Sequence, residues 1–125
     1  MPPHLIRSVP ILPVRDARAS VDYYRQKLGF DLDWEYESES GPPRFVSVSR
    51  GDVTLFLSEH PGEGAPNTLV YVYVDDVDAL YRELDKGGAR VEAAPKLTPW
   101  GTKEMLVRDP DGHTLRFGME VTRLA

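Results

Sequence analysis

Valine alternates with larger side chains from Asn67 to Asp76, so that Val70, Val72 and Val74 share one face while Leu69, Tyr71 and Tyr73 share the other. A period of two predicts a strand over 67–74. Its valine face suits packing beneath a helix, and its other face reads as the wall of an aromatic pocket. A looser alternation predicts a strand over 5–14 as well. Val21, Tyr24 and Leu28 then recur at helical spacing, with Asp16 placed to cap the helix and Gly29 to end it. Three short β segments follow at about 30–38, 43–50 and 52–59, separated by turn signals at Gly41-Pro42-Pro43 and Arg50-Gly51-Asp52.

Residues 60–66, rich in proline and glycine, interrupt the pattern as a linker, and then the same order returns. After the strand at 67–74, Asp75 or Asp76 can cap a helix carrying Val77, Leu80, Tyr81 and Leu84, which Gly87-Gly88 ends. Further β segments lie near 89–97, 103–108 and 113–119, with Asp109-Pro110-Asp111-Gly112 as the last turn. Val14-x-Asp16 parallels Val74-x-Asp76, and Gly51-Asp52-Val53-Thr54-Leu55 parallels Gly112-His113-Thr114-Leu115-Arg116. A βαβββ unit present twice, about 5–59 and 67–121, predicts a single α+β domain over 1–125. Each half offers a curved mixed sheet with a helix outside, and the two inner faces can pair as a ligand trough.

Composition narrows the function. The chain of 125 residues is 41% hydrophobic and 28% charged, which suits one globular domain. No apolar run approaches a membrane span and the N-terminus lacks the layout of a signal peptide. The absence of cysteine removes disulfides and thiolate chemistry and agrees with a cytoplasmic setting. A net charge of -5 argues against nucleic acid. It would favour a cationic small molecule, although mild acidity also simply aids solubility. His4, His60 and His113 show no ligand spacing and read as surface or turn residues. Glu59 and Glu104 read as solvated carboxylates rather than general bases. No Ser/His/Asp arrangement or phosphate-cradling loop is present.

The layout resembles the vicinal oxygen chelate superfamily of glyoxalases, extradiol dioxygenases and bleomycin resistance proteins. The cues are Val14-Arg15-Asp16 leading to Tyr23-Tyr24 and Leu28-Gly29-Phe30, Val74-Asp75-Asp76-Val77, and Asp109-Pro110-Asp111-Gly112-His113. Enzymes of that superfamily place a histidine on each half's first strand and a glutamate on each half's last. Counted from Asp16 and Asp76, the first-strand positions fall on Val9 and Leu69. Counted from the glycine turns, the last-strand positions fall on Leu55 and Arg116. Neither histidine nor carboxylate occupies any of them, so no metal or other cofactor is expected. The chain is more similar to the metal-free bleomycin resistance proteins, through Val9-Pro10-Ile11-Leu12, Asp52-Val53-Thr54-Leu55-Phe56-Leu57-Ser58, Asn67-Thr68-Leu69 and Pro99-Trp100-Gly101.

That resemblance implies a homodimer that exchanges N-terminal arms at Pro10 and sequesters a bleomycin-like glycopeptide, with no catalysis, nucleic acid or membrane. The alternatives are a binding protein for another small aromatic compound, or a metal-dependent enzyme of the same fold. The expected ligand wall comprises Asp33, Trp34, Tyr36, Phe45, Leu55, Leu69, Tyr71, Tyr73, Trp100, Gly101 and Arg116. Trp34, Tyr36 and Phe45 compete for the role of aromatic partner to Trp100, which stacks on the ligand or covers a sheet edge. Asp33 pairs with a ligand cation or is an ordinary strand residue. Tyr71 and Tyr73 face the trough or pack in the core. Arg116 pairs with an acid across the sheet or meets an anionic group.

Overall fold

A computed structural model describes residues 1–121. In the first half β1 (Ile11–Pro13), α1 (Ala17–Leu28), β2 (Asp31–Ser38), β3 (Gly41–Arg50) and β4 (Val53–Ser58) form one unit. In the second, β5 (Leu69–Tyr73), α2 (Val77–Lys86), β6 (Arg90–Leu97), β7 (Thr102–Arg108) and β8 (Thr114–Glu120) repeat it. The strands make two four-stranded sheets in the equivalent orders β1-β4-β3-β2 and β5-β8-β7-β6. In each, the first strand runs parallel to the last and the remaining pairs are antiparallel. The duplicated α+β architecture is the one expected.

Both helix caps follow from sequence. The Asp16 carboxylate accepts from the N–H groups of Arg18 and Ala19, and Asp76 rather than Asp75 accepts from that of Ala79. These bonds satisfy donors that the first turn of a helix leaves unpaired. Gly29 closes α1 in the left-handed conformation, φ 72°, where a side chain would be strained.

The strand expected over 5–14 shrinks to Ile11–Pro13. Pro10 and Pro13 lack N–H groups, so the ladder with β4 can start only at the Pro10 carbonyl, which accepts from Phe56. Residues 1–8 are exposed, with Leu5 and Ile6 outside the core.

One apolar core serves both halves. Leu12, Tyr24, Leu28, Val46, Val48, Leu55 and Leu57 join Val72, Val77, Leu84, Met105, Val107 and Leu115 in a single buried cluster. The halves are also stitched by polar contacts. Buried Tyr24 donates to Asp109 at 2.8 Å, Ser20 donates to Asp111 at 2.8 Å, and Arg50 forks onto Glu83. His113, expected at the surface or in a turn, closes the final turn but is fully buried. Its Nδ1 accepts from the Thr68 N–H, so Nε2 carries the proton and donates to the Pro13 carbonyl at 2.6 Å. The imidazole therefore ties β1 of one half to the start of the other.

Register corrects the expected alignment of the repeats. Ile11 pairs with Phe56 in the first half and Tyr71 with Arg116 in the second. Phe56, not Leu55, is thus the counterpart of Arg116. The turn before β8 is the cause. Arg50 pairs with Val53 across two residues, whereas the Asp109 N–H reaches the His113 carbonyl across three. Matching the halves on Gly51 and Gly112 slips the register by one, and in a strand that exchanges the two faces. Leu55 accordingly lies in the core and not on the ligand wall.

Candidate ligand-binding site

Alternation on β2, β3 and β4 sends Val46, Val48, Leu55 and Leu57 to the core and leaves Trp34, Phe45 and Phe56 on the opposite face. These three rings form a continuous surface. Trp34 stacks on Phe45 with centroids 5.9 Å apart and planes 13° apart, and Phe56 leans on both at 5.5 and 5.2 Å. Trp34 and Phe45, with Tyr36, Glu35, His60 and Glu63, line an open hollow of about 630 Å³. Trp34 is 46% exposed, so a large apolar ring remains available to a ligand. Tyr36 stands opposite Phe45 and is also exposed. Phe56 was missed from sequence because the repeat was aligned one residue out.

Asp33 is tied to the neighbouring strand β3. Its two oxygens accept from Ser47 at 2.9 Å and Ser49 at 2.7 Å, beside an irregularity in the β2–β3 ladder. The Asp33 carboxylate therefore holds a bulge in place.

The second half carries polar groups where the first carries rings. Leu69, Tyr71 and Tyr73 lie on the exposed face of β5 as expected, with the tyrosine rings edge to face at 5.0 Å. Tyr71 donates to Glu104 Oε2 at 2.7 Å, Thr102 donates at 2.8 Å and Trp100 Nε1 at 3.2 Å. Arg116 reaches Glu104 Oε1 through Nε at 2.6 Å and Nη2 at 2.5 Å. Its guanidinium also lies 5.5 Å from the Trp100 ring centroid and 5.6 Å from that of Tyr71. Gly101, at φ 89°, makes the turn that brings Trp100 back over β7. Trp100 is 61% exposed and, with Ala93, Lys96, Leu97 and Leu106, borders a second hollow of about 350 Å³.

Glu104 is thus neither solvated nor a general base; it is 8% exposed. Burial by itself would raise its pKa, but the hydrogen bonds from Tyr71, Thr102, Arg116 and Trp100 outweigh that and hold it at about 2. Burial, and after it the same carboxylate, raises the Tyr71 phenol above its ordinary value. Glu59 is committed elsewhere, accepting from the Ala17 N–H at the start of α1 and from the Arg44 N–H. The fixed negative charge of Glu104 could not have been found from sequence, since two of its donors, Tyr71 and Arg116, come from other strands.

The residues do not fit a divalent ion. With the register corrected, the positions that correspond to metal ligands hold Val9, Leu69, Phe56 and Arg116, three hydrocarbon side chains and a cation. Among the described residues no three His, Asp or Glu side chains converge.

Comparison with known proteins agrees with the fold. Residues 3–117 match the model of the Glyoxalase/Bleomycin resistance protein/Dioxygenase superfamily. The chain belongs to this superfamily. It is 30% identical to the uncharacterized protein YraH of Bacillus subtilis over 85% of this chain and 91% of the relative. The crystal structure of TnmS3, an antibiotic binding protein from Streptomyces sp. CB03234, is similar at a TM-score of 0.75 and 29% identity, over 94% of this chain and all of that one. That of a bleomycin-binding protein complexed with bleomycin is similar at 0.74 and 28%, with the same coverage. No helix among the described residues is long and apolar enough to cross a membrane.

Proposed function

We propose that this superfamily member sequesters a flat aromatic antibiotic of the bleomycin type without transforming it. The observation that carries this reading is the open ring surface of Trp34, Phe45 and Phe56, which a planar group can extend by one more layer. Catalysis is disfavoured by the chemistry of the walls. Among the described residues the buried carboxylate on the inner faces is that of Glu104, which already accepts four hydrogen bonds and a further ion-pair contact from Arg116 Nη2. Sequestration needs affinity alone. Stacking of about 0.5–1.5 kcal/mol per ring pair adds to apolar burial near 25 cal/mol per Å².

The complete crevice forms between two copies, the Trp34 wall of one meeting the Trp100 wall of the other. Among the described residues no ring contact or hydrogen bond joins the two walls within the chain, and each stays open. The exposed arm of residues 1–8, with Leu5 and Ile6, suits exchange onto the partner copy. Glu63 at the edge of the Trp34 hollow lies where a cationic tail would leave the stack.

Calorimetric titration with metal-free and copper-loaded bleomycin tests the reading. One drug per subunit, with quenched tryptophan fluorescence, supports it. No saturable binding of either form removes bleomycin as the ligand, and a different aromatic compound takes its place.

A further inference from the structure

We infer that the Arg116 wall grips a hydrogen-bond acceptor on the ligand, a carbonyl, phenolate or carboxylate oxygen at the edge of a flat ring. The inference rests on the reading that these faces bind a planar aromatic, and it specifies which functional group that ligand presents to the second half.

The argument is a count of unspent donors and acceptors. A carboxylate offers about four lone-pair sites. Glu104 receives Arg116 twice on Oε1, and Tyr71, Thr102 and Trp100 on Oε2, so nothing is left to accept from a ligand. The Trp100 N–H is spent in the same way. The Tyr71 oxygen sits over Gly118, where even a Cβ would collide with it. Thr98 and Thr102 bond one another at 2.7 Å.

Arg116 is different. A guanidinium has five N–H donors, and only two of them serve Glu104. Among the described residues the other three have no partner, on a side chain that is 29% exposed. Lys96 lines the same hollow, faces Glu104 in register, and is exposed, with no carboxylate bonded to it among the described residues. The hydrogen-bonding capacity left on this wall is therefore mostly donor. Glu104 keeps the local charge near balance while it fixes the direction of the fork, and Trp100 and Tyr71 flank the guanidinium. Among the described residues a ligand ammonium placed here would meet two cations and no carboxylate with a lone pair to spare. The chain as a whole carries -5, so its overall field favours cations. An acceptor preference at Arg116 would have to be local.

Three matched probes separate these effects by calorimetry: 2-naphthoate, 2-acetylnaphthalene and 2-naphthylmethylammonium. Each is titrated into the full chain and into the Glu104→Gln/Arg116→Met double variant, which removes both charges together and strands neither. The affinity of each acceptor probe relative to the ammonium should fall about tenfold in the variant, the worth of one charge-assisted hydrogen bond. Arg116→Lys, which keeps a charged donor without the fork, should lie between, and it serves if the double variant does not fold. Unchanged ratios overturn the inference but leave ring stacking standing. If none of the probes binds the wild-type chain, ring binding itself fails and the inference fails with it.

Discussion

The Tyr71 hydroxyl reaches Glu104 by crossing the bare backbone of Gly118. A Cβ at 118 would collide with that hydroxyl and come within 2.7 Å of the ring carbon bearing it. Gly118 is needed here for space and not for an unusual backbone angle. It makes room for the one phenol that links β5 to β7 across β8.

Gly118→Ala should therefore expel Tyr71 from Glu104. Tyr71→Phe removes the same hydrogen bond without a clash and should destabilise the chain by about 1–2 kcal/mol. Gly118→Ala should cost more, because ring and strand must both shift. Urea unfolding of the two variants and their combination gives the comparison. In the Tyr71→Phe background the alanine should still be destabilising, since the ring carbon remains in the way.

Glu104 sets an acid limit on stability. Its folded pKa of about 2 lies below the ordinary carboxylate value of 4.5, so the folded chain binds the proton less readily than the unfolded chain. The resulting stabilisation is fully present above pH 4.5 and is lost as pH falls from there through 2. Other carboxylates titrate in the same window, so the useful quantity is the difference between wild type and Glu104→Gln. That difference should shrink steadily from pH 5 to pH 2 in denaturant titrations.

Tyr24→Phe should weaken the seam between the halves. Asp109 is buried and accepts from the Tyr24 hydroxyl and from the N–H groups of Asp111 and His113. Losing the phenol leaves one carboxylate oxygen short of a donor and should cost about 1–3 kcal/mol. Thermal unfolding should report it as a single lowered transition, because both halves share one core.

Phe56→Ala tests the residue that sequence reading passed over. Both Trp34 and Phe45 rest against this ring. Its loss should lower bleomycin affinity about tenfold, through looser stacking partners, in a calorimetric titration. Leu55→Ala, one position away, should instead lower stability by about 2–5 kcal/mol, because that side chain fills the core.

Most of the fold was legible because it is written in local periodicity and repeated. The caps at Asp16 and Asp76, the faces of β5 and the stops at Gly29 and Gly87 need only neighbouring residues. The ligand wall was legible only in part. Trp34, Phe45, Tyr71 and Arg116 do reach the inner faces, since alternation from a correctly placed strand puts them there, and Trp100 is brought over β7 by the turn at Gly101. Leu55 was misplaced and Phe56 missed, because a turn longer by one residue is invisible until the strands are paired. Glu104 and His113 escaped for another reason. Each owes its burial to partners distant in sequence, such as Arg116 and Tyr71 for one and Pro13 for the other, and no local pattern announces such contacts.

The most direct test of the two-walled crevice is subunit complementation between Trp34→Ala and Trp100→Ala chains carrying different affinity tags. Each variant homodimer should bind bleomycin poorly, while the purified heterodimer retains one undamaged crevice and should bind one drug per dimer at wild-type affinity. If wild type binds the drug and the heterodimer binds no better than its parents, the two walls do not meet across the dimer, and the crevice proposed here is wrong.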